Sequence, residues 1–179
     1  MIETARLILR APRDADREPL AALNADSRVN DWLGGMIDRA ASDAGVDRLL
    51  EHFARHGFGE WVIERKSDRA VIGLAGLSHA PADLPTAPAI EIGWRLAHHA
   101  WGQGYATEAA RAALDHGFAA LHLDAVLAWT AVGNLASQAV MGRIGMTPLP
   151  SSDFDHPRLA PGHPLRRHRV FRITRPGAI

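Results

Sequence analysis

Hydrophobic and polar positions along the chain change period several times, and each change marks an element. Arg6-Leu7-Ile8-Leu9-Arg10 is short and β-rich, a first strand. A helix is predicted from roughly Asp14 to Asp26, with Leu20 and Leu23 among its buried positions. From Ser27 to Ala41 the pattern is irregular, and Val29, Trp32, Leu33 and Gly34-Gly35 imply a short helical turn and a loop. Ser42 reads as the N-cap of a second helix carrying Val46, Leu49, Leu50 and Phe53 at helical spacing, with Gly57 as its stop.

The period then drops to two. Glu60 to Arg65 and Ala70 to Leu77 are predicted strands joined through Ser67-Asp68-Arg69 as a hairpin. Residues 80–88 carry three prolines and read as loop. In the next strand, Ala89 to Leu96, the positions Ile90, Ile92, Trp94 and Leu96 alternate with Glu91, Gly93 and Arg95. Past a glycine-bearing junction, Ala106, Ala109, Ala110, Ala113, Leu114, Gly117, Phe118 and Leu121 form one apolar helical face, with Glu108, Arg111 and Asp115 outside it. A buried strand, Ala125 to Thr130, precedes a helix capped by Asn134 and ended by Gly145, and a proline-bearing loop leads into a last strand. Several consecutive strands followed by a βαβα segment give an α+β order, and with no repeat or linker residues 1–179 read as one domain.

Composition narrows the function classes. The chain has 179 residues, 47% hydrophobic and 22% charged, enough for a real core. It lacks cysteine, which excludes disulfides, thiolate metal sites and a cysteine nucleophile. That fits a cytoplasmic protein, and the start, MIETARLILRAPRDADREP, is charged and lacks the apolar core of a secretory signal. No run approaches a membrane span. Lys+Arg and Asp+Glu balance at 20 each, so neither nucleic acid nor membrane is an expected partner. The local exception is RRHRVFRITR, Arg166 to Arg175, for which a solvated edge strand protected by charge is favoured over a ligand site. His52 and His56 have the i, i+4 spacing of helical metal ligands, but no third ligand stands near them in sequence; solvated histidines are the favoured reading and no metal is expected.

The junction Trp101-Gly102-Gln103-Gly104-Tyr105-Ala106-Thr107 carries the most chemistry. A Walker loop would need Gly-Lys-Ser/Thr, which is absent. A dinucleotide fingerprint would need Gly or Ala where Thr107 stands, and Asp124 precedes the next strand instead of ending it. A diphosphate seated on the helix N-terminus fits better. The first N–H groups of a helix lack internal partners, and Gly102 and Gly104 remove the Cβ atoms that would block approach. Gln103, Tyr105 and Ala106 keep their backbone donors, and Thr107 adds a hydroxyl. The competing reading is that the glycines only permit a sharp turn.

The stretch EIGWRLAHHAWGQGYATEAARAALDHGF resembles the acetyl-CoA-binding motif of the GNAT superfamily of N-acetyltransferases, in particular the RimJ/RimL branch typified by ribosomal-protein N-terminal acetyltransferases. The likeness extends to TARLILR, VIGLAGL and NLASQAVMGRIGM, in the family's order and over nearly the whole chain. The superfamily's Gln/Arg at the head of its loop is replaced by Trp101, as is frequent in this branch, which removes one side chain expected near the phosphates. The resemblance implies a GNAT fold: a single mixed, mostly antiparallel sheet of about seven strands, splayed at a cofactor wedge and flanked by helices on both faces.

It also implies direct attack of a primary amine, a peptide N-terminus or a small molecule, on acetyl-CoA, without a metal. A base must take a proton from the incoming ammonium. Glu91 matches the family's frequent acid and is the candidate base, directly or through a water; the plain alternative is a strand carboxylate paired with Arg95. Asn134 matches the residue that contacts pantetheine, and Ser137 the one near the sulfur, as acid; helix capping explains both as well. The pantetheine is expected along Trp94, Arg95 and Leu96 as an added strand. His79 borders the acceptor side, and segments 27–41, 78–88 and 148–165 should shape it. A monomer or homodimer is expected. The rival reading is a non-catalytic CoA-binding regulatory module.

Overall fold

The computed structural model describes residues 1–32 and 35–177, so the expectations placed on Leu33 and Gly34 lie outside the described residues. In chain order the elements are β1 (Ile2–Glu3), β2 (Leu7–Arg10), a 3-10 turn (Asp14–Asp16), α1 (Arg17–Ala25), α2 (Ser27–Asn30), α3 (Arg39–His56), β3 (Glu60–Arg65), β4 (Val71–His79) and β5 (Ile90–Leu96). A second 3-10 turn (His98–Ala100) leads into α4 (Tyr105–Ala119), β6 (Ala125–Ala131), α5 (Leu135–Arg143), β7 (Thr147–Pro148), a third 3-10 turn (Pro150–Ser152), β8 (Phe154–Asp155) and β9 (Arg167–Thr174). The strands form one sheet in the order β1-β2-β3-β4-β5-β6-β9-β7, with β8 also on β9. Among the described residues the sheet has nine strands against the roughly seven expected; β1, β7 and β8 are two-residue pieces too short to carry a periodic signal.

Every pairing is antiparallel except β5 with β6, which is parallel and holds one bridge, Glu91 to Leu127. Beyond that bridge toward the C-terminal end of β5 the two strands part. One sheet face, with Trp61, Ile63, Ala75, Leu77, Ile92 and Leu96, packs on the apolar stripe of α4. Alanines at 109, 110 and 113 let that helix come close: a Cβ on Gly117 would sit 2.8 Å from a Leu77 methyl. Across the sheet, Val62 and Leu74 meet Leu20 of α1 and Val46 of α3. Among the described residues no helix is long and apolar enough to cross a membrane.

Two sequence expectations are corrected. The cap of α3 is Asp38, whose side chain accepts from the Ala41 N–H at 2.8 Å. Ser42 lies inside the first turn, 2% exposed, and its hydroxyl accepts from the Asn24 amide at 2.8 Å. A serine tying two helices together thus carries the same letter as a cap. Nor is the basic C-terminal segment an edge. β9 pairs with β6 from Ala125↔Thr174 to Ala131↔His168, and its other side takes β7 and β8. His168, Val170 and Phe171 are buried, while Arg167, Arg169 and Arg172 reach solvent.

The N-terminal strand is locked by a buried charge cluster. Arg10 donates to Asp16 at 2.6 and 2.8 Å and to Glu64 at 2.9 Å, and those carboxylates are only 1% and 2% exposed. The Asp16 hydrogen bonds hold the guanidinium charged in spite of its burial. Replacing one member of such a cluster strands its partners' charge. Arg10→Met should therefore cost roughly 3 kcal/mol in urea unfolding; a loss below about 1 kcal/mol would mean that Arg69, which also reaches Glu64, compensates.

Candidate active site

The gap between the parted strands opens into a cavity of about 570 Å³. Trp94, Arg95 and Leu96 of β5 form one wall, the turn at Trp101, Gly102 and Gly104 with the first residues of α4 the floor, and α5 the opposite wall. Val29 and Trp32, just beyond α1, close one end. The sequence-predicted residues Tyr105, Ala106, Thr107, Asn134 and Ser137 all line this space; Glu91 is not among the lining residues, and neither is Gln103. Its side chain turns away to donate to the His99 carbonyl at 2.9 Å, and its own carbonyl accepts from Arg6 at 2.9 Å.

The turn has the backbone an anion site needs. Gly102 and Gly104 lie at φ +74° and +80°, in the left-handed region that glycine enters without strain. Nothing comes within 4 Å of where a Gly102 Cβ would stand. Gly104 caps α4 without any side-chain hydrogen bond, and among the described residues no acceptor meets the N–H groups of residues 102–107. The helix dipole adds partial positive charge at the same point. Opposite, Arg95 lines the cavity with its Nε buried and unpartnered, and among the described residues no carboxylate forms an ion pair with it. Such a fan of amides at an open glycine turn suits a diphosphate.

Residues that sequence reasoning missed hold this turn in place. Glu108 of α4 accepts from the Thr4 hydroxyl at 2.6 Å, the Arg6 N–H at 2.9 Å and the Arg6 Nε at 2.7 Å. Arg6 in turn lies 4.5 Å above the Tyr105 ring. The latch joins residues about a hundred positions apart, which no local pattern reveals. Trp101 donates its indole N–H to the Leu96 carbonyl at 2.8 Å, fixing the turn to the end of β5. That carbonyl is therefore already engaged, and an added strand would meet free backbone only before it.

Cross-strand register puts Glu60, Ser78, Glu91, Gly93 and Arg95 on one sheet face. The Ser78 hydroxyl donates to Glu91 at 3.0 Å. Burial pushes the Glu91 carboxyl up to about 7; the Ser78 hydrogen bond opposes this in part and the Glu60 charge adds to it. Glu60 is likewise raised by burial, against the pull of Arg95 and His52. The Glu91–Arg95 pair that would make Glu91 an ordinary strand carboxylate does not form. Asn134 does cap α5: its Oδ1 accepts from the Ser137 N–H at 3.2 Å and its Nδ2 donates to the Thr130 hydroxyl at 3.0 Å. Ser137 is half-buried on the cavity wall.

Comparison with known proteins gives one consistent answer. The family model described as an acetyltransferase (GNAT) domain matches residues 6–147. An uncharacterized protein of Bacillus subtilis (strain 168), YkkB, is 33% identical over 144 residues, covering 80% of this chain and 83% of its own. Among solved structures, a GNAT-family acetyltransferase from Bacillus anthracis matches with a TM-score of 0.79 at 22% identity, over 97% of this chain and 98% of that one. A spermidine N-acetyltransferase from Vibrio cholerae, in complex with CoA and spermine, matches with a TM-score of 0.76 at 18% identity, over 96% of this chain and 97% of that one.

The raised Glu91 group links protonation to stability. Below an ordinary carboxyl pKa near 4.5 both folded and unfolded chains carry the proton. Between there and about 7 only the folded chain keeps it, so stability falls as pH rises, and it levels off above. Glu91→Gln never ionises. Its stability relative to the parent should climb across that window and plateau at an advantage on the order of 2 kcal/mol, allowing for partial exposure. Urea unfolding from pH 4.5 to 8 reads this directly, and a pH-independent difference would show that Glu91 titrates as an ordinary surface acid.

Proposed function

The chain belongs to the GNAT family of acetyltransferases, and we propose that it transfers the acetyl group of acetyl-CoA to a primary amine by direct attack. The observation that carries this reading is the unpartnered fan of N–H groups at residues 102–107, open at Gly102 and set at the mouth of the parted strands. The diphosphate of acetyl-CoA accepts from that fan, with the Thr107 hydroxyl beside it. The pantetheine arm runs into the cavity along Trp94 and Arg95 toward Asn134, and the thioester lies near Ser137. The CoA in the Vibrio cholerae spermidine N-acetyltransferase supports this choice of donor.

The amine arrives protonated, and Glu91, with its carboxyl near 7, is ionised often enough at neutral pH to take that proton, directly or through a water. The nitrogen lone pair then attacks the thioester carbonyl. The C–N bond forms, the C–S bond breaks, and the second amine proton passes to the thiolate through the Ser137 hydroxyl. Thiolate leaves readily, so a weak donor suffices. Two half-buried carboxylates, Glu60 and Glu91, give the acceptor side a character that suits a cation. Val29 and Trp32 supply the apolar wall against which the rest of an acceptor packs. A peptide N-terminus, as in the RimJ/RimL branch, or a small amine meets these terms. The enzyme works as a monomer or homodimer in the cytoplasm. Turnover distinguishes it from a CoA-binding regulatory module, because such a module has no use for a carboxylate kept near neutrality.

Thr107→Glu tests the phosphate cradle without disturbing the left-handed glycines. An acid in the first turn suits the helix dipole, so the fold should hold while the carboxylate competes for the amide fan. Affinity for acetyl-CoA by calorimetry should fall at least about 100-fold, near 2.7 kcal/mol; unchanged affinity would remove the diphosphate from this helix end.

Glu91→Gln should lower kcat by about 10² or more with acetyl-CoA affinity nearly unchanged, in a thiol-release assay over an amine library. In the parent, kcat/KM should fall as pH drops through about 7, because the base must be ionised, and the variant should lack that inflection. Ser137→Ala should be milder, about tenfold or less. Tight acetyl-CoA binding with no amine-dependent thiol release would establish the regulatory module instead.

A further inference from the structure

Away from the cavity, the C-terminal turns of α3 and the end of β4 bring three histidines together. His52 and His56 share one face of α3, and His79 is the last residue of β4. One ring nitrogen or other from each lies within 4.8 Å of the others, and the ring centroids stand 4.5 to 5.6 Å apart. The expectation that the helical pair lacks a third partner is thus corrected. His79 is distant in sequence, and only the length of β4 and the turn after α3 carry it there.

The arrangement has features that chance contact between surface histidines does not require. His52 Nδ1 is 2.8 Å from the Phe58 carbonyl, so it carries the proton and donates, leaving Nε2 with its lone pair outward. That Nε2 faces His79 Nδ1 at 3.5 Å. Tetrahedral zinc with bonds near 2.0–2.1 Å holds its nitrogen ligands about 3.3 Å apart, so two donors already stand at nearly ligand spacing. His56, one helical turn from His52, needs only a side-chain rotation, and it is exposed enough to make one. Phe58, edge-on to the His52 ring at 5.5 Å, makes an apolar floor. The charges near the group are Arg55 beside His56 and Glu60 within reach of His52.

We propose that His52, His56 and His79 form a binding site for one divalent transition-metal ion, zinc by its donor set, tying the end of α3 to the end of β4. Three neutral nitrogens without a carboxylate or thiolate select zinc or its imidazole-binding neighbours over magnesium and calcium. The exposed side of the cluster leaves room for water as a fourth ligand. The ion would hold the strand end at His79, next to Ser78, whose hydroxyl meets Glu91. None of this depends on acetyl transfer.

The test uses the full chain, stripped with chelator and dialysed, titrated with Zn²⁺ alone by calorimetry. One equivalent should bind with a dissociation constant of about 10 µM or tighter, with a rise in melting temperature. His79→Ala and, separately, His56→Gln should each weaken binding at least about tenfold, while a control altering His98 and His99 to Ala should leave it unchanged. Circular dichroism checks each variant, and His56→Gln, on an exposed helix face, keeps the test decisive if His79→Ala misfolds. Co²⁺ in place of Zn²⁺ should give intense visible absorption of a low-coordinate nitrogen site, lost in both variants. No saturable binding below about 100 µM, or binding indifferent to His56 and His79, would overturn the site. Acetyl-CoA affinity of the stripped protein, measured in parallel, separates this outcome from any failure of the catalytic reading.

Discussion

One backbone bridge, Glu91 to Leu127, is all that joins β5 to β6, and the architecture of the site follows from that poverty. A full parallel pairing would satisfy the backbone of both strands and close the sheet. Here pairing stops at Glu91, and β5 continues through Trp94 and Leu96 with one side open. Sheet continuity is kept indirectly: α4 lies across the seam, its alanine face in one cluster with residues of β4, β5 and β6. The helix that repairs the core also delivers its N-terminus to the gap. Packing and binding are thus two ends of one element, and the short side chains that let the helix sit close also aim its amides.

An open seam leaves polar groups without partners. The amides of residues 102–107 and the Arg95 Nε lack the pairing that a closed sheet would provide, and the Glu91 carboxyl has the Ser78 hydroxyl. The buried Arg95 Nε costs stability, while Arg10 with Asp16 and Glu64, and the Glu108 latch on Thr4 and Arg6, hold the surrounding frame. These two clusters pair their carboxylates with arginines, whereas the Arg95 Nε at the cavity has no partner. Groups that are expensive to leave unpaired and are nonetheless left so point to a ligand that completes them.

The parts legible in the sequence are those whose physics is local. The turn at Gly102 and Gly104 announced itself because positive φ demands glycine and an amphipathic helix begins immediately after it. Asn134 was readable as a cap, and Gly57 as a stop, for the same reason. Glu91 was visible as the polar member of an alternating strand, but its environment was not: Ser78 and Glu60 reach it only through strand register. Ser42 misled because a buried hydroxyl between helices and an N-cap look alike in sequence, and Asp38, the true cap, lies within the stretch 27–41 that shows no clear period. The basic strand at the C-terminus read as an edge because repeated charge is a common protection of edge strands. In β9 the exposed arginines fall on both faces, Arg167 and Arg169 on one and Arg172 on the other, of a strand paired on both sides.

Ser78 and His79 show how one strand end can serve two kinds of chemistry. The Ser78 hydroxyl meets Glu91, while the His79 imidazole reaches His52 in the C-terminal turns of α3. The strand end belongs to a long hairpin with β5, and just beyond it the chain enters the proline-bearing segment 80–88, which offers little regular backbone to brace it. Any interaction that fixes His79 therefore narrows the positions open to the Ser78 hydroxyl, and with them the polarity around the Glu91 carboxylate. Since burial raises that group toward neutrality and the Ser78 hydrogen bond opposes it, movement of that single donor acts on its charge. The acid was placed where the sheet comes apart, and the geometry that makes it chemically useful depends on how firmly the last residue of β4 is held.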